Sequence, residues 1–221
     1  MTFSLGSTPR SLVKYNDKSI AAITDIAASA KDDMVLIKTL TASGDGTLSF
    51  VDGASDVVLD STYPIYVIKF INIHPSTAGR ERLMFQGSID SGSNYNTTLL
   101  TFVFDAYHDE GDGTATLGID DVEDVAQSTS FAPLTSRTSS DNDSAGCGEM
   151  YLFNPSSTTF VKHFVFRGPI ANESGAGAPF AFDNHKGGYF NTTSAVDAIQ
   201  FKFDSGNIDA GTIKLYGIKD S

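Results

Sequence analysis

Over residues 198–218 apolar and polar side chains alternate with a period of two, and few folds accommodate such a segment. Ile199, Phe201 and Phe203 fall on one side of an extended chain, and Gln200, Lys202 and Asp204 on the other. After Ser205-Gly206-Asn207-Ile208-Asp209-Ala210-Gly211, a second run sets Ile213, Leu215 and Gly217 against Thr212, Lys214 and Tyr216. This is the period of a strand with one buried face. The joining segment is rich in residues that accept positive φ or bond their own backbone. Together the runs predict an antiparallel hairpin. A lone hairpin is marginal in water, so its apolar face calls for a second sheet from earlier in the chain.

The preceding residues supply further strands. Val35, Ile37 and Leu40 lead into a glycine-bearing turn, and Leu48 and Phe50 follow it. Residues 63–73 are apolar on both faces, with Tyr66, Ile68 and Phe70 against Val67, Ile71 and Ile73 and only Lys69 charged. That pattern predicts a central strand covered on each side. Residues 83–89, 99–107, 150–153 and 159–167 read as strands too, between turns such as Asp90-Ser91-Gly92 and Asn154-Pro155. Eight or nine short strands with turn signals between them predict an all-β fold, a jelly-roll-like antiparallel β-sandwich over residues 34–221. Residues 108–148 are expected to be a long acidic loop anchored by Phe131 and Leu134.

Residues 1–33 differ. They are polar, contain Pro9, and place Ile20, Ile23 and Ala27 at helical spacing behind Asp17 and Ser19. A short N-terminal arm with one helix is expected, and Leu12, Val13, Ile20 and Ile23 are its candidate attachment residues. No basic region followed by an apolar run opens the chain, and no segment approaches the roughly 20 apolar residues of a membrane helix. The expectation is a protein made in a cytoplasm.

Composition narrows the function. A net charge of −12 and a pI near 4.5 disfavour nucleic acid and anionic membranes, since both require clustered Lys and Arg. A single cysteine, Cys147, excludes an intramolecular disulfide and a cysteine-based zinc site. The densest polar run, Asp105-Ala-Tyr-His-Asp-Glu-Gly-Asp, places carboxylates beside glycine, as Ca²⁺ prefers, but without the spacing of an EF-hand. Asp105, Asp109 and Asp112 are the candidate Ca²⁺ ligands, and no other cofactor is expected. The four histidines form no metal-binding pair, and no Gly-x-Ser-x-Gly elbow or phosphate loop is present. A protein without catalytic activity is expected.

The phrases Phe70-Ile-Asn-Ile-His-Pro75, Phe85-Gln-Gly-Ser88, Ala106-Tyr-His-Asp-Glu110 and Leu152-Phe-Asn-Pro-Ser-Ser-Thr-Thr-Phe-Val-Lys-His163 stand out, as do Gly188-Tyr-Phe-Asn-Thr-Thr-Ser194, Gly206-Asn-Ile-Asp-Ala-Gly211 and Leu215-Tyr-Gly-Ile218. From Met34 onward they resemble virion structural proteins of marine tailed phages, including those infecting cyanobacteria and Pelagibacter-like hosts. These are turn and strand phrases, not catalytic signatures. The resemblance implies a structural, capsid or tail protein of the virion, and the short N-terminal arm, with no long coiled-coil shaft before the domain, favours a capsid decoration or cement protein on the particle exterior. Its partners would be the major capsid protein or tail components, in a homo-oligomer such as a trimer. The alternatives are a tail-fibre or spike receptor-binding domain and a carbohydrate-binding module that meets a host-surface glycan.

Ordering an arm of this composition costs roughly 1–2 kcal/mol per residue, so it needs a partner surface. A chain starting at Met34 is therefore expected to fold but to lose its hold on particles lacking the protein. Co-sedimentation of full-length and shortened chains measures this, and equal sedimentation would remove the arm as anchor.

Overall fold

The computed structural model describes residues 33–77, 79–119, 123–172 and 179–220. The expected helix and the attachment residues Leu12, Val13, Ile20 and Ile23 lie outside these residues. The chain runs through β1 (Met34–Thr41), β2 (Leu48–Val51), β3 (Ile65–Pro75), β4 (Arg80–Glu81), β5 (Leu83–Ser88), β6 (Leu99–Asp109) and β7 (Ala115–Ile119). It continues through β8 (Ala132–Pro133), β9 (Thr138–Ser139), β10 (Gly146–Phe153), β11 (Lys162–Asn172), β12 (Phe180–Phe190), β13 (Ala198–Phe203) and β14 (Ile208–Ile218). No helix occurs among the described residues.

The fold is an all-β sandwich with unequal layers. Eight strands form one sheet in the order β1-β14-β3-β10-β11-β12-β6-β7, and four form the other, β2-β13-β5-β8. The pair β4–β9 stands apart, and the pairings are antiparallel. Aromatic side chains join the layers. Phe85 of the small sheet meets Phe164 at 5.0 Å and Phe190 at 6.1 Å, and Phe201 meets Phe70 at 5.1 Å, all edge-to-face. Such contacts contribute about 0.5–1.5 kcal/mol each beyond the area they bury.

The closing segment departs from the expected hairpin. Its buried face is as the alternation predicts: Ile199, Phe201, Phe203, Ile213 and Leu215 are all in the core. Its partners are not. β13 pairs with β2 and β5 in the small sheet, whereas β14 pairs with β1 and β3 in the large one. The connection between them crosses from one layer to the other. Both strands still point their apolar faces at a single core, so alternation alone cannot separate a hairpin from a crossover.

β3 is central as expected, lying between β14 and β10, but its outer face is covered only in part. Tyr66, Ile68 and Phe70 face the core, while on the other side Val67, paired with Tyr216 and Tyr151, is fully buried and Ile71 is 40% exposed. Ile73 returns to the core because Asn72 adopts φ 52° and the register slips against both neighbours. Gly211, at φ 116°, lets β14 pass this bulge, since a Cβ there would lie 2.5 Å from the Asn72 carbonyl oxygen. The expected long loop is also more ordered than its composition suggests. It carries β7, β8 and β9, with Leu134 fully buried.

Phe201→Ala is expected to cost about 3–5 kcal/mol, the range for truncating a buried aromatic. Lys202 faces outward but holds its ammonium 4.5 Å from the Phe131 ring centroid. Lys202→Ala should therefore cost only about 0.5–1 kcal/mol. Denaturant unfolding of both variants checks the register, and comparable losses would contradict it.

Candidate functional site

The outer face of the eight-stranded sheet, turned away from the sandwich core, carries the most unusual surface. Side chains paired across strands fall into rows there. One row runs Leu36, Tyr216, Val67, Tyr151, Val165, Gly187 and Phe102 from β1 to β6. It is almost wholly apolar or aromatic. The next runs Lys214, Lys69, Glu149, Arg167, His185, Phe104 and Ile119 from β14 to β7. It is charged at one end and apolar at the other. Nine large apolar residues are conspicuously exposed among the described ones, and all but Ile89 and Phe160 lie on this face. Scattered exposed apolar residues are ordinary, but a contiguous set marks a surface that another molecule covers.

A groove of about 970 Å³ runs along the same face, lined by Lys69, Ile71, Glu149, Arg167, Pro169 and Leu117 among others. Its charges are paired. Arg167 donates through Nη2 to Asp183 at 2.8 Å and through Nε to both carboxylate oxygens at 3.2–3.3 Å. These hydrogen bonds hold the Asp183 carboxyl below its ordinary range and raise the Arg167 guanidinium. His185 lies 3.3 Å from the same carboxylate and stacks on Phe104 with ring centroids 4.6 Å apart. Lys69 faces Glu149 at 3.8 Å. The arrangement fixes planar polar groups between apolar walls.

The three candidate Ca²⁺ ligands do not form one set. Asp105 is buried on the inner face and accepts a hydrogen bond from Ser136 Oγ at 2.9 Å. Asp109 lies four residues further along β6, about 13 Å at strand rise, and caps the Gly113 amide at 2.7 Å. Asp112 sits in the turn, 3.1 Å from His108. No group of three His, Cys, Asp or Glu side chains suited to a metal ion occurs among the described residues.

Asp105 belongs instead to a buried polar cluster that pins the long loop to the sheet. Arg82 Nε donates to Glu123 Oε1 at 2.8 Å, and Lys186 Nζ donates to the Pro133 carbonyl at 2.6 Å and lies 4.0 Å from Glu123 Oε2. The Ser136 hydroxyl bridges Asp105 and Glu123, while its amide donates to Asn184 Oδ1. Glu123, Asn184 and Lys186 are each no more than 2% exposed.

Comparison with protein-family models, with curated proteins and with solved structures finds no match. The functional reading therefore rests on the geometry and on the sequence phrases. Sequence reasoning missed the outer-face residues Phe102, Phe104, Leu117, Ile119 and Val165. The available signal was in residues 99–107, where Leu100, Phe102 and Phe104 alternate with Leu99 and Val103, so both faces are apolar.

Glu81 lies beside the cluster. Burial, then a hydrogen bond to Asp204 and repulsion from it, push its carboxyl up to about 7. The folded state therefore holds the proton more tightly than the unfolded chain. This contribution to stability is fully present below the ordinary carboxyl value, near 4.5, and is lost as pH rises through about 7. Glu81→Gln is expected to match the parent in thermal unfolding at about pH 4 and to exceed it above about pH 8. A difference that does not vary with pH would contradict the shift.

Proposed function

We propose that this chain is a structural protein of a tailed-phage virion, without catalytic activity, serving as a capsid decoration or cement protein on the particle exterior. The observation that carries the reading is the concentration of exposed apolar residues on the outer face of the large sheet. That face measures roughly 30 Å in each direction, on the order of 900 Å², about one partner's share of a standard protein interface. The phage-like phrases between Met34 and the C-terminal strand support the setting. The acidic composition suits a particle surface, where the partners are the capsid protein or tail components and further copies of the chain in a trimer or other oligomer.

The groove favours a second reading from another class, a carbohydrate-binding module or the receptor-binding domain of a tail fibre. Sugar and other ligand sites combine apolar walls with a few fixed polar groups, as Arg167 and Asp183 provide here. Saturable binding of host-surface glycans that disappears in Arg167→Ala would move the function to host recognition.

The decoration reading is tested by adding purified protein to particles that lack it and sedimenting them. A chain carrying Ile71→Asp and Val165→Asp is expected to lose co-sedimentation at an unchanged unfolding midpoint. The same changes at Ile89 and Phe160, away from the sheet face, should leave it intact. Parent-like sedimentation of the outer-face variant would sink the proposal.

A further inference from the structure

Among the described residues β7 is the outermost strand of the large sheet and pairs only with β6. All five of its residues are exposed, Leu117 by 73% and Ile119 by 81%. The ladder shows which of its backbone groups are left over. The Asp109 amide donates to the Thr114 carbonyl at 3.0 Å, which makes these two a hydrogen-bonded pair. In register with them, Tyr107–Thr116 and Asp105–Gly118 are hydrogen-bonded pairs as well. Antiparallel ladders alternate, so the intervening residues turn their N–H and C=O groups outward. On β7 these are Ala115, Leu117 and Ile119.

Soluble proteins guard such edges with lysine, proline, a bulge or a covering segment. The opposite edge of the sheet is guarded: β1 breaks register between Leu36 and Lys38, and Lys38 adds a charge. β7 reads Ala-Thr-Leu-Gly-Ile, without charge or proline, and its register with β6 is unbroken.

We propose that β7 recruits a strand from another protein, an extended segment whose short uncharged run is flanked by Lys or Arg. Charge selects this occupant. β7 grows out of a turn bearing Asp109, Glu110 and Asp112, the last with a 94% exposed side chain, in a chain of net charge −12. Basic flanks complement that turn. A second copy paired antiparallel would bring its own acidic turn beside Ile119 and the Asp120-Asp121 that follow it in sequence. The edge works through backbone groups, so the proposal stands whether or not the outer face docks on a particle.

The test titrates the peptide Lys-Lys-Thr-Val-Thr-Val-Thr-Lys-Lys into the full-length protein, following backbone amide shifts by NMR and affinity by fluorescence anisotropy. Saturable binding is expected, with shifts centred on residues 115–119. The version with glutamate at both ends should bind about tenfold more weakly or worse, the difference narrowing as salt rises. Leu117→Pro deletes one outward N–H and spares the bonds to β6, because an edge strand tolerates proline where the amide faces solvent. It is expected to abolish binding at an unchanged unfolding midpoint, while Leu117→Thr retains it. If Leu117→Pro lowers the midpoint, Ala115→Pro at the first strand position gives the same reading. No saturable binding, equal binding of the two peptides, or parent-like binding by the proline variants would overturn the proposal. So would self-association that the proline variants abolish, since the occupant would then be a second copy.

Discussion

A four-stranded sheet cannot cover an eight-stranded one, and most of this structure follows from that mismatch. At the usual spacing between strands the large sheet is about 34 Å wide and the small one about 14 Å. The aromatic contacts place the small sheet over β3, β11 and β12, where Phe70, Phe164 and Phe190 meet Phe201 and Phe85. Both flanks of the inner face then need another roof. On the β14 side it comes from the segment after β2, with Val57 and Leu59 buried and the Tyr66 hydroxyl bonded to the Asp60 backbone. Tyr63 packs so close over Gly217 that no larger residue fits there. On the β6 side it comes from the long segment after β7.

That second roof is polar, which is costly unless every charge is matched. Glu123 comes down between Arg82 and Lys186, and Ser136 ties it to Asp105. Buried charges are tolerated only in such company, because a stranded partner keeps its full desolvation penalty. The network thus converts an acidic, glycine-rich segment into a fixed part of the sandwich. Lys162 is a parallel case: fully buried, its pKa lowered by that burial, it donates to the Phe160 and Thr192 carbonyls. These are the places where the fold relies on specific polar pairs instead of apolar packing.

The strands and their buried faces were legible in the sequence because alternation is a local property. Ile199, Phe201, Ile213 and Leu215 could be placed inside without knowing what they pack against. Pairing partners could not be read, since β13 and β14 show the same pattern whether they bond each other or join different layers. The role of Asp105 was hidden for a related reason. Its neighbours in sequence are acidic, but its neighbours in space, Ser136 and through it Glu123, lie far along the chain. The bulge at Asn72 was equally silent, because it depends on a backbone angle and on Gly211 from a distant strand.

Apolar residues on both faces of β3 predict burial on both faces, and within one molecule this holds at Val67 but fails at Ile71. The physics behind it holds if the second cover comes from outside. On the large sheet the row from Leu36 to Phe102 supplies apolar area, and beside it the row from Lys214 to Arg167 supplies charge. Protein interfaces divide the work in the same way: an apolar centre contributes affinity, and charges set orientation and reject wrong partners. Here the charges lie alongside the apolar row, where they limit the spread of one sticky patch. A chain of net charge −12 can carry such a face in solution because its copies repel one another elsewhere. The same repulsion favours a partner less acidic than the chain itself, which ties the composition of the whole molecule to the outer face of its large sheet.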